Sequence, residues 1–237
     1  MQRSARWFSI GLGVAISSWA VYAVVAWLRY GHPDRDSDEA DPLLDGFMPA
    51  YDAAERHSAL VNAPVDLAFA AATELDLRKS TIIRCLFKSR ELLLGTAEAR
   101  AVLPVALGEW ARGLGWVVLA EIPGRELVFG AAARPWESKV VFRSVRPEEF
   151  KSFNRKDYAK IVWTLRADPI DSAHSIARTE TRVVTTDREA FSRMRVYWAC
   201  FSPGILLIRK IALRMVRREA ERLSSRRALP RDPRPAC

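Results

Sequence analysis

Cysteine is scarce. The 237 residues contain three, Cys85, Cys200 and Cys237, with no paired spacing. That excludes a disulfide framework and a zinc pattern. Cys85 and Cys200 lie in apolar helical contexts and read as small core hydrophobes. Histidine also numbers three, and His57 and His174 alone fall in the part that reads as globular. Acid–base work needs a positioned partner for a histidine, and the sequence shows none. No Gly-rich phosphate loop is present. Ser202 precedes Pro203-Gly204 but lacks the strand-to-helix elbow of a serine hydrolase. From these residues no catalytic set, metal site or cofactor is assigned.

What is present is charge and hydrophobic length. The net charge is +9, unevenly placed. Residues 1–50 carry four arginines against six carboxylates, so the excess lies further on, much of it between Arg188 and Arg227. A basic face can serve nucleic acid, anionic lipid or solubility. No interleaved aromatic platform accompanies these arginines, so nucleic acid is not favoured as a partner. The basic end Arg209 to Arg227 reads as solvated surface or as a contact for anionic lipid.

Trp7 to Leu28 contains no charged residue. About 20 apolar residues span a bilayer core. Trp7, Trp27 and Tyr30 stand at its ends, with Arg3, Arg6 and Arg29 beside them. The run is longer than a usual signal-peptide core. Residues 1–30 therefore read as a retained transmembrane anchor, which leaves open the side of the membrane that carries the rest. Residues 31–45 are acidic and polar and read as a disordered tether. A domain is expected over 46–225, followed by a Pro/Arg-rich tail at 226–237.

Within that domain a strand is expected over 55–63, ending at Asn62-Ala-Pro64. Pro64 and Asp66 suit the start of a helix over 65–75. Further helices are expected at 80–94 and 104–112. Strands follow at 116–121, 126–132, 139–145, 160–167 and 175–186. Ile161, Trp163 and Leu165 alternate with Lys160, Thr164 and Arg166. Short connections between consecutive strands predict an antiparallel sheet. One face of that sheet must be covered. The C-terminal helix carries a stripe at Phe191, Met194, Trp198, Phe201, Ile205, Ile208, Ala212 and Met215, and it is long enough to do so. Pro203-Gly204 should kink it.

The fold class is therefore α+β. The strand ending Arg178-Thr-Glu-Thr-Arg-Val183, the helical Phe201-Ser-Pro-Gly-Ile205 and the opening Glu55 to Asp66 together resemble the START-like (SRPBCC) superfamily. The resemblance is to an uncharacterised, membrane-anchored bacterial branch, and it covers about residues 45–225. It implies a helix-grip fold, in which a curved antiparallel sheet wraps a long C-terminal helix. It also implies a cavity between sheet and helix for an apolar or amphipathic small molecule, lipid-like or polyketide-like. Some members are cyclases or dehydratases and others only carry ligands. No catalytic residues transfer, so membrane-tethered ligand binding is expected, with a cyclase- or dehydratase-like enzyme or a membrane-surface module as the alternatives. Glu180, Asp157 and Tyr158 are the acid–base candidates for the enzyme.

Large rings most often serve as core, but together they can line a pocket. The candidate ligand-binding residues are Trp116, Phe129, Trp136, Trp163, Trp198 and Phe201. Arg178, Glu180 and Arg182 share one strand face and join the set. Pointing inward, the arginines would clamp a ligand carboxylate; pointing outward, they would form a cross-strand ladder.

Overall fold

The computed structural model describes residues 17–33, 41–85 and 106–228. Residues 17–29 form helix α1. Pro42–Phe47 forms α2, begun by Asp41, whose carboxylate accepts the Leu44 N–H at 2.9 Å. Pro42 needs no amide partner in that first turn. Strand β1 (Ala53–Val61) leads into α3 (Val65–Thr73). After the short helix α4 (Leu107–Gly113) come β2 (Val117–Ile122), β3 (Glu126–Ala133), α5 (Pro147–Phe150), β4 (Ala159–Pro169) and β5 (Ser175–Thr185). Asp187 then accepts the Ala190 N–H at 2.9 Å and starts α6 (Arg188–Ala228), which runs unbroken through Pro203.

The five strands form one antiparallel sheet in the order β1-β5-β4-β3-β2. The long helix α6 packs against one face of it, which is the helix-grip arrangement. Alternation divides the side chains cleanly. On the inner face, toward α6, Val61, Phe129, Trp163, Leu165 and Ala177 pack with Leu213, Val216 and Ala220. Further along the same face, Ala53, Ala159 and Val183 pack with Met194, Trp198 and Tyr30. The outer face has its own apolar cover. Val128, Ala132 and Val162 meet Leu44, Met48, Tyr51 and Phe150. Gly130 on β3 admits this packing, since an added Cβ would lie 2.4 Å from a Leu119 methyl and 2.9 Å from the Phe150 ring.

Several expectations are corrected. The stretch 139–145 is not a strand; it makes one bridge, Ala132 to Arg143. Val141 is exposed there, and Phe142 turns onto Trp116 with ring centres 5.0 Å apart. Cys85 and Cys200 are exposed, not core, because each falls on the solvent side of its helix. Cys237 lies outside the described residues, as does most of the helix expected at 80–94; residues 81–85 are helical. The inward stripe of α6 follows the expected positions Phe191, Met194, Trp198, Ala212 and Met215, and adds Ser202, Leu213, Val216 and Ala220.

The disordered tether expected over 31–45 is corrected at its C-terminal end. Asp41 and Leu44 are buried, so residues 41–45 belong to the fold. The C-terminal end of α1 is docked on the fold. Tyr30 is buried against Phe191 and Trp198, and the Gly31 N–H donates to Asp52 O at 2.8 Å. Arg195 lies over the Trp27 ring at 3.5 Å and donates to Trp27 O. The span expected at Trp7 to Leu28 lies partly outside the described residues. Within them, α6 is the one helix long and apolar enough to cross a membrane by length and composition.

Candidate functional site

One row of residues crosses the inner face. Glu55 on β1 pairs with Thr181 on β5, Thr181 with Trp163 on β4, Trp163 with Phe129 on β3, and Phe129 with Val118 on β2. At the strand spacing of about 4.8 Å, Glu55 to Phe129 is about 14 Å. The row changes character along its length. Phe129 stacks on Trp163 at 4.4 Å, and Trp116 meets Trp163 edge-on at 6.0 Å, which makes an aromatic wall. The other end is polar. His57, two residues from Glu55, pairs with Thr179 on the same face.

Arg209 enters this polar end from α6. Its Nη1 donates to Thr179 Oγ1 at 2.7 Å, and its Nη2 donates to Thr181 Oγ1. The residue as a whole is half-buried, but its Nε has neither solvent nor a hydrogen-bond partner. Burial pushes the Arg209 pKa down to about 10, opposed by the nearby Glu55 charge. It stays charged at neutral pH. Its place in the basic end Arg209 to Arg227 is thereby corrected: the side chain faces the sheet. Of the rest of that end, Arg217, Arg222 and Arg227 pair with Glu221, Glu219 and Asp66.

Glu55 is held by two neighbours. Tyr22 on α1 donates to its Oε1 at 3.0 Å, and His57 Nε2 stands 3.5 Å from its Oε2. Both the Glu55 and His57 side chains are largely buried, and His57 Nε2 has no hydrogen-bond partner. The hydroxyl of Ser202, two turns before Arg209 on α6, is buried beside Tyr22. Buried polar groups are normally satisfied, and at this polar end Arg209 Nε and His57 Nε2 are not.

The candidate residues fall into four places. Trp116, Phe129 and Trp163 come together in the aromatic wall. Trp198 and Trp136 pack at the other inner cluster, beside Tyr30. Phe201 stacks on Tyr197 at 4.8 Å, on the flank of α6. Arg178, Glu180 and Arg182 stand on the outer face, away from α6. Arg182 donates to Glu180, to Asp45 and to Met48 O; Arg56 joins Glu180 at 3.0 Å; Arg178 donates to Asp168 at 2.8 Å. Arg166 also donates to Asp168 and reaches Asp41 and Glu126 at 4.0 Å. Burial and the facing Asp41 push the Glu126 carboxyl up to about 7. Asp157 pairs with Arg193, and Tyr158 lies under Arg134, both remote from the inner row. His174 is exposed and pairs with Asp171 in a turn.

Sequence reasoning missed Arg209, Tyr22 and the pairing of Glu55 with His57. A signal existed for two of these. Positions 55 and 57 share a strand face, and the inward positions 198, 202, 209, 213, 216 and 220 are polar at 202 and 209 alone.

No protein-family model matches the chain, and no curated relative does. Solved structures similar to it include protein CV1439 from Chromobacterium violaceum, with 10% identity over 72% of this chain and 96% of that one, at a TM-score of 0.29. The Zhui aromatase/cyclase from Streptomyces sp. R1128 matches with 15% identity over 71% and 93%, at 0.24. The di-domain ARO/CYC BexL from the BE-7585A biosynthetic pathway matches with 12% identity over 71% of this chain, at 0.27. The chain spans 46% of that protein's length.

Proposed function

We propose that the protein binds an apolar or amphipathic small molecule between the sheet and α6. The observation that carries this reading is the row across the inner face, aromatic at Phe129 and Trp163 and polar at Thr181 and Glu55. A core that served packing alone would gain from apolar residues throughout, because well-packed apolar residues in place of buried charged groups are often neutral or stabilising. A ligand with an apolar body and a polar end matches both halves. Native mass spectrometry of the purified full chain tests this. A co-purifying small molecule, lost in a Trp163→Ala, Phe129→Ala variant that remains folded, is expected. A mass equal to the bare chain, together with no uptake of apolar fluorescent probes, would end the reading.

The N-terminal segment tethers this domain to a bilayer. Trp19, Val21, Val24 and Leu28 of α1 are exposed, a side that lipid would cover. Retention of the full chain in the membrane pellet at alkaline pH is expected; release into the supernatant would refute the tether.

A second reading is enzymatic, and Glu55 favours it. With Tyr22 on one oxygen and His57 beside the other, it forms a group able to exchange a proton with a ligand held in the row. Turnover lost in Glu55→Gln with ligand binding retained would distinguish this from carriage.

A further inference from the structure

Arg209 is a buried cation whose charge is not directly paired. Its two hydrogen-bond partners are neutral hydroxyls, Thr179 and Thr181. No carboxylate among the described residues lies within ion-pair distance of it; Glu55 acts on it through space while hydrogen-bonded to Tyr22. Enclosing an ion without a counter-ion is among the costliest arrangements in a protein interior. Such a cost persists where a ligand offsets it.

A guanidinium carries five N–H donors. Two are used by the threonines, and the Nε–H is buried and unpaired. Because the two threonine oxygens accept from Arg209, their own hydroxyl protons are left to donate outward. Arginine's planar fork matches a carboxylate or sulfonate, whose oxygens take two N–H bonds at once. The aromatic wall begins one strand away, since Thr181 pairs directly with Trp163.

We infer that the ligand carries an oxyanion head, such as a carboxylate, bound by Arg209 between Thr179 and Thr181, with its apolar body lying toward Trp163 and Phe129. This rests on the ligand-binding reading above and adds the charge and place of the head group.

The test uses two matched probes on the full chain in neutral phosphatidylcholine nanodiscs. One is 1-anilinonaphthalene-8-sulfonate; the other is N-phenyl-1-naphthylamine, the same rings without the anion. Binding is read as energy transfer from the protein's tryptophans. The wild type should bind the sulfonate more tightly than the amine. Arg209→Met should weaken the sulfonate about tenfold or more, the equivalent of about 1.4 kcal/mol, and leave the amine within about twofold. Equal binding of both probes, unchanged in Arg209→Met, would overturn the anion assignment while leaving the ligand-binding reading intact. If neither probe binds the wild type, that reading itself fails. Should Arg209→Met not fold, Thr179→Val with Thr181→Val addresses the same head site and should weaken the sulfonate alone; an equal loss for both probes would count against the inference. Displacement of the sulfonate by oleate but not by 2-naphthoate assigns a chain-bearing acid supplied by the bilayer, and the reverse assigns a compact soluble acid.

Discussion

On the outer face of the sheet, Arg182 is as buried as an arginine can be, yet it meets Glu180, Asp45 and the Met48 carbonyl. Across the same strand, one residue away, Thr181 faces α6 and accepts from Arg209, whose guanidinium is enclosed with hydroxyls and no direct carboxylate. Both cations were removed from water. One is matched by fixed anions supplied by α2 and β5, and the other is left with unused donors. The outer arrangement holds α2 against the sheet. The inner one contributes little to folding and is suited to holding something that arrives from outside.

This contrast can be broken by substitution. Arg182→Ala should cost the most, about 3–5 kcal/mol, because it breaks a buried ion pair and leaves Glu180 with Arg56 alone. Urea denaturation measures it, and a loss under 1 kcal/mol would show that the outer network is not structural. The Glu126 carboxyl, pushed up to about 7, should give the next effect. Its protonated state suits the buried site. That contribution is complete below the ordinary carboxyl range and is lost as pH rises through about 7. Melting temperatures from pH 5 to 8 should therefore fall in the wild type more steeply than in Glu126→Gln; parallel curves would refute the shift. Tyr22→Phe removes one hydrogen bond to Glu55 and should cost about 1 kcal/mol. Faster hydrogen exchange in residues 17–29 would report it, and unchanged exchange would mean that the Tyr22 contact does not hold α1 in place. Arg209→Met should be the mildest for folding, no more than about 1 kcal/mol by the same denaturation, since removing an unpaired buried charge relieves its desolvation. A loss as large as that of Arg182→Ala would make the two faces alike.

The sheet was legible because its strands alternate. Trp163 and Leu165 fall inward and Lys160 and Arg166 outward on β4, as their order predicts. Alternation could also place Arg178, Glu180 and Arg182 on a common face, but it could not say which face. That depended on α2, whose residues 42–45 follow an acidic run and read as tether. The strand expected at 139–145 fails for a related reason. Its pattern is adequate locally, but Phe142 gains more by packing on Trp116 than by extending the sheet. Arg209 was misplaced by a sound generalisation, that arginines at a helix end belong in water. Its position in the inward series of α6 carried the contrary information. Tyr22 was hidden because a helix with no charge offers no way to tell a side that touches protein from one that does not.

The docking of α1 along α6 has a mechanical consequence. With Tyr30 wedged between Phe191 and Trp198, Trp27 under Arg195 and Tyr22 on Glu55, α1 touches the body of the protein at three successive turns. A leash lets its load tumble, whereas a helix clamped at three points transmits torque. Any surface that grips α1 itself therefore fixes the bearing of the sheet as well as its distance. The polar end of the inner row, marked by Tyr22 itself, is then always presented on the side from which the chain enters.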